Sequence, residues 1–138
     1  ASLACTDFPK CDNSWSPSNM DYKSGFTIFN LPSINYELAP LAYNAKLAIH
    51  FTHRLGALFL TGLYSYLFVY IFFKQSDMTL KAISTIVLLT FISQILLGVS
   101  NVIYSLPINI AVLHTVNASM LLMSMITLLY YSTYHPQR

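Results

Sequence analysis

Polar and apolar positions along this chain are sorted into blocks rather than interleaved. Residues 1–45 are polar and aromatic, and Pro9, Pro17, Pro32 and Pro40 interrupt them. Prolines at that density break regular elements, so the segment reads as a structured loop with short helical turns. Three long apolar runs come next, at about 47–73, 82–106 and 108–134. The uncharged stretch Leu55–Phe73, LGALFLTGLYSYLFVYIFF, is close to the roughly 20 residues that a bilayer core requires. The runs lack the alternating pattern of a membrane barrel. Backbone polar groups find no water in hydrocarbon, so each run is predicted to be a helix. Pro107, in SLPIN, sets a tight turn between the second run and the third. The fold class is therefore an all-α membrane protein: a polar loop segment, 1–45, then a three-helix transmembrane domain, 46–138.

Composition agrees. Of 138 residues, 55% are hydrophobic and 9% charged, and the mean hydropathy is +0.55. A soluble domain carries about a quarter charged residues. Eight of the twelve Lys, Arg, Asp and Glu residues lie at or before Arg54, and the others are Lys74, Asp77, Lys81 and Arg138. A net charge of +2 is too small to suggest a nucleic-acid partner; the lipid bilayer is the partner these runs demand. Short loops rich in Lys and Arg tend to stay cytoplasmic, which puts Lys74, Lys81 and Arg138 inside, and residues 1–45 and the 106–109 turn outside. Trp15, Tyr22, Phe26, Phe29 and Tyr36 suit a membrane interface. Cys5 and Cys11, close together in that outer loop, suit an oxidising compartment. The chain starts at Ala1 without Met or a signal peptide, and the expectation is a processed chain or a fragment, with the fragment preferred.

His53 and His114 are the candidate chemistry. Ionisable residues inside a span are costly and usually face a bundle interior with a task. Each lies about six residues, ~9 Å, inside the outer end of its run. Two histidines at one depth can take both axial positions of a haem iron; two unrelated buried histidines, each hydrogen-bonded to a hydroxyl, are the plainer alternative. His50, three residues before His53 and on the same face, reads as a second ligand, a proton carrier or, preferred, an interface histidine. Arg54 is suited to a haem propionate or to snorkelling toward headgroups. Asn101 sits near the level of the histidines, where it could touch a cofactor. Gln94 and Asn117 read as interhelical hydrogen-bonding groups, and Gly98, Ser100, Ala118 and Ser119 as close-packing residues. The Cys5–Cys11 spacing suits a small disulfide loop, structural or, less readily, redox-active; it matches neither a CxxC motif nor a zinc site.

The stretches SLACTDFPKC, AIHFTHRLGAL at 48–58 and QILLGVSNVIYSLPINIAVLH at 94–114 closely resemble the haem A synthase family over nearly the whole chain. Members of that family are built from two similar four-helix halves, each with a bis-histidine haem position. They oxidise a ring methyl of haem O to the formyl of haem A for cytochrome oxidase assembly. The resemblance implies the second half without its first helix. It makes His53 and His114 the axial ligands of a bound haem b, and Cys5 and Cys11 an outer-loop pair of the kind proposed to form disulfides and pass reducing equivalents. Where the first half carries a glutamate, this chain has His50, which supports the second-half assignment and leaves catalysis by this part alone in doubt. The implied partners are the N-terminal half of the same enzyme, a haem O synthase and a second copy in a homo-oligomer. The implied location is a bacterial inner membrane, with residues 1–45 periplasmic. Two other classes compete: a small b-type cytochrome carrying electrons through a bis-histidine haem, and a membrane thiol oxidoreductase using Cys5 and Cys11, for which the sequence offers no second cysteine pair.

Overall fold

The computed structural model describes residues 4–5, 7–11, 13–27 and 42–135. The expectations for Phe29, Pro32, Tyr36, Pro40 and Arg138 lie outside those residues. The described residues form four helices: α1 (Tyr22–Gly25), α2 (Tyr43–Lys74), α3 (Met78–Ile103) and α4 (Ile108–Tyr134). The last three are long and apolar enough to cross a membrane. The protein is an all-α, multi-pass membrane protein. Large apolar side chains cover its outer faces, among them Leu58, Phe59, Phe73, Leu122 and Leu129, as a lipid solvent favours and water does not.

The helix bounds differ from the expected spans for local reasons. α2 begins at Tyr43 rather than Leu47, with Ala45 N–H and Lys46 N–H both donating to Ala42 O. At 32 residues it is ~48 Å long, well beyond the roughly 30 Å of a hydrocarbon core. Its first turns therefore belong to the interface, where Lys46 is tolerated. α3 begins at Met78 because Asp77 caps it, its carboxylate accepting from Thr79 N–H (2.7 Å) and Leu80 N–H (3.3 Å); aspartate is among the best N-caps. Lys81 fits in that first turn because its stem can run along the apolar surface, and its ammonium lies 5.4 Å from the Phe72 ring centroid.

α3 ends three residues earlier than expected, in a Schellman motif. Leu106 N–H donates to Asn101 O (2.7 Å) and Ser105 N–H to Val102 O (3.3 Å), the two bonds that satisfy the last carbonyls of a helix. The position that favours glycine is held by Ser105, at φ 56°, with Leu106 next at φ 62°. Pro107, at φ −62°, then starts α4.

The chain divides into two compact units, residues 1–56 and 57–138. In the first, Ala4, Cys5, Cys11 and Leu47 form a small core with Met20 and Phe51 against it. Asp21 caps α1 by accepting from Ser24 N–H, and its own N–H donates to Asn44 O. Gly25 lies so close to α2 that an added Cβ would stand 3.0 Å from Ala45 O. In the second, α3 and α4 pair as a hairpin. The end of α2 closes on them through Ile71 and Leu67, packed with Leu80, Val87 and Leu128. Tyr131 Oη donates to Asp77 Oδ2 (3.0 Å), which ties the C-terminal end of α4 to the start of α3.

Candidate functional site

In the 1–56 unit the loop is pinned to the N-terminal turns of α2 by two side chains. His50 Nδ1 accepts from Cys5 N–H (3.1 Å) and Ala4 N–H (3.4 Å). Arg54 donates through Nη1 to Lys10 O (2.6 Å) and through Nη2 to Asp7 O (3.0 Å) and Cys5 O (3.3 Å). Of its five N–H groups, these bonds leave the Nε–H and one Nη1–H outside the grip. The Phe8 ring lies 6.0 Å from the guanidinium carbon. Cys5 and Cys11 face one another with Cα atoms 4.7 Å apart, and Cys11 exchanges both backbone bonds with Ser14. Asp7 braces the far side by accepting from Asn13 N–H (2.8 Å).

The expectation that His50 is an interface histidine misses this role: its ring is an acceptor for the loop. For Arg54 the expected partners are a propionate or lipid headgroups, and the structure places it on three loop carbonyls. Neither contact leaves a sequence signal, because both link residues more than forty apart through backbone atoms that any residue supplies. The equal-depth count also shifts. From the observed helix starts, His53 lies ten residues into α2 and His114 six into α4. The His53 side chain is exposed, on the stretch of α2 between the two loop-holding residues His50 and Arg54.

In the 57–138 unit, His114 is part of a side-chain chain between α3 and α4. Gln94, Gly98 and Asn101 recur at four and three residues, which puts them on one stripe of α3. Gln94 Nε2 lies 3.2 Å from His114 Nε2. Asn117 Nδ2 is 2.7 Å from Gln94 Oε1 and 2.9 Å from Thr90 O. A β-carbon on Gly98 would stand 3.2 Å from His114 Cε1, so the missing side chain is what lets the imidazole lie against α3. Asn101 is buried, and its Oδ1 has no hydrogen-bond donor among the described residues. An acceptor buried without a donor costs about 1–3 kcal/mol. Gln94 and Asn117 bond between helices, as their place in the spans leads one to expect. The bond from Gln94 to the candidate ligand itself is new, although the spacing Gln94–Gly98 and the single His114 opposite could have suggested it. Among the described residues no group of three or more His, Cys, Asp or Glu side chains is placed to hold a metal ion.

Comparison with known proteins adds to this geometry. Residues 1–126 match the model of the family described as "Cytochrome oxidase assembly protein". The Heme A synthase of Shewanella oneidensis is 36% identical over 131 residues, which cover 95% of this chain and 38% of that protein. The Heme A synthase of Neorickettsia sennetsu is 29% identical over 122 residues, covering 88% of this chain and 33% of that protein. The chain thus spans little more than a third of the length of the relatives it matches. No solved structure matches it.

Proposed function

The chain belongs to the cytochrome oxidase assembly protein family, and from that premise we propose that it is the haem-binding C-terminal half of a haem A synthase, the enzyme that oxidises a methyl of haem O to the formyl of haem A. In this reading it holds a haem b in a bacterial inner membrane, with the 1–45 segment on the periplasmic side and Cys5 and Cys11 joined in a disulfide. It works with the N-terminal half of the same enzyme. His114 would supply one ligand to the haem iron and His53, of the His53–Arg54 pair, the other.

The observation that carries the reading is the environment of His114: an imidazole lying against Gly98 with its Nε2 on the Gln94 amide. Haem iron takes a neutral ring nitrogen, and such a donor in a stripe of mostly uncharged, apolar surroundings suits a flat, largely apolar macrocycle. The orphaned Asn101 Oδ1 offers an acceptor on the same stripe. When bound, haem b supplies one-electron chemistry. The chain's own part is to orient the ligating rings, exclude water through the α3–α4 packing and keep the outer loop on α2. His50 and Arg54 serve this last task.

The test is spectroscopic. The protein expressed with haem supply should show a six-coordinate low-spin haem spectrum. His53→Ala and His114→Ala should each abolish it or convert it to a five-coordinate form. A six-coordinate spectrum unchanged in both variants overturns the ligand assignment.

A further inference from the structure

The side chains around His114 form a sequence in which each orientation dictates the next. Thr90 O is a backbone carbonyl and can only accept. The Asn117 group 2.9 Å from it must therefore be the NH₂ end of that amide. The same NH₂ lies 2.7 Å from one end of the Gln94 amide, which must then be the carbonyl, because two amide NH₂ groups cannot bond to each other. That turns the Gln94 NH₂ toward His114 Nε2 at 3.2 Å. An amide nitrogen only donates, so His114 Nε2 is the acceptor. The ring is neutral, its proton is on Nδ1 and its lone pair is on Nε2. Amide orientations and imidazole tautomers are ordinarily assigned rather than observed; here the Thr90 carbonyl is the reference from which all three are assigned.

We infer that Gln94 is a positioning residue for His114 and a placeholder for the iron that His114 would ligate. Through Asn117 and Thr90 it holds His114 in the Nδ1–H tautomer, and it covers the Nε2 lone pair until iron takes it. This rests on the haem reading above. A lone pair serves one partner at a time, so ligation requires the Gln94 N–H to leave. Gln94 can do so by rotating its own side chain, with no change to either helix backbone. Gly98 keeps the ring against the stripe that carries Gln94, since any β-carbon there would press on Cε1. The device has two consequences. The site has a hydrogen-bonded partner before its cofactor arrives, and the nitrogen it presents is the ligating one.

Two measurements on this chain in lipid nanodiscs test the inference. The first is ¹⁵N NMR of His114 in haem-free protein, which distinguishes the protonated from the bare ring nitrogen. The expected result is a bare Nε2 in the parent protein and a mixture of tautomers in Gln94→Leu. Gln94→Met, which keeps side-chain length, repeats the test with less disturbance to packing. An Nε2–H ring in the parent, or a tautomer unchanged in both variants, overturns the inference. The second is the rate of haem b uptake, monitored by absorbance. Loss of one neutral hydrogen bond to be displaced should speed uptake about two- to tenfold in the variants; an unchanged or slower rate removes the placeholder role. The haem reading fails separately, by a low-spin spectrum that survives His114→Ala, and the tautomer result stands or falls without it.

Discussion

His50 and His114 are both held at a ring nitrogen, but by partners of different kinds. His50 accepts from the backbone amides of Ala4 and Cys5, and its neighbour Arg54 donates to the carbonyls of Cys5, Asp7 and Lys10. His114 meets the side chain of Gln94, which is set by the side chain of Asn117. A backbone partner cannot withdraw without rebuilding the loop that carries it. A side-chain partner can turn about its own bonds while both helices stay in place. The 1–56 unit therefore uses its polar groups as clamps, and the 57–138 unit keeps a ring whose partner can be exchanged. The difference also explains how two histidines in apolar sequence come to such different work: His50 is beside a loop with amides to satisfy, and His114 is opposite a helix stripe with only amide side chains.

The comparison breaks most visibly at Arg54. Arg54→Ala leaves three loop carbonyls without their donor, and hydrogen bonds to a charged group contribute about 1.5–3 kcal/mol each when shielded. With partial exposure, a loss of about 2–3 kcal/mol for the loop as a whole is expected. Hydrogen exchange at the Ala4 and Cys5 amides, which His50 holds, should speed up accordingly. Arg54→Lys should recover little of the protection, because one ammonium cannot match the planar fork of guanidinium donors. Full protection in Arg54→Lys would mean that charge, not the fork, holds the loop.

A smaller effect of opposite sign is expected at the α3–α4 turn. Ser105 adopts φ 56°, a left-handed conformation that costs a residue with a β-carbon about 1–2 kcal/mol. Glycine escapes that cost but has more freedom to lose from the unfolded chain. Ser105→Gly should therefore stabilise the hairpin by about 0.5–1 kcal/mol, read as a higher unfolding midpoint in mild detergent. A lower midpoint would show that the Ser105 side chain does more than occupy the position.

The smallest expected effect lies in the loop unit again. The Ser24 hydroxyl and N–H beside Asp21 hold its carboxyl below the ordinary aspartate value, with Lys23 adding to the shift. A depressed folded value means that the α1 cap is intact above the unfolded aspartate value and fails as pH falls through the folded one. The Ser24 amide resonance should track that transition, and Asp21→Asn should keep the cap through it. A Ser24 resonance that titrates at or above the ordinary value would remove the link.

One-dimensional pattern and the nature of the solvent decide the legible part of this protein. Apolar runs of bilayer length with no polar period dictate helices, since hydrocarbon offers the backbone no other partner. α4 accordingly has the expected bounds, with Pro107 before it. The QxxLGxxN run and the His53–Arg54 pair carry the family likeness without any knowledge of the fold. The starts of α2 and α3 are harder, because a charge near a helix end looks like a break in sequence, while Lys46 lies in the first turn of a helix longer than a hydrocarbon core and Lys81 lies over Phe72. The early end of α3 is hidden because the left-handed position holds Ser105 rather than the glycine that usually announces it.

The sequence by itself determined the class of solvent and the number of membrane-length helices among the described residues, and it singled out the side chains proposed to hold a cofactor. The tertiary structure decided which of those side chains are already engaged, and with what. Arg54 and His50 bind a loop more than forty residues away through backbone atoms that carry no residue identity, so no motif could announce the contact. The tautomer of His114 depends on a backbone carbonyl at Thr90, two amides away across a helix pair. A spacing can place Gln94 and His114 near each other, but only the packed geometry says which end of an amide faces which nitrogen.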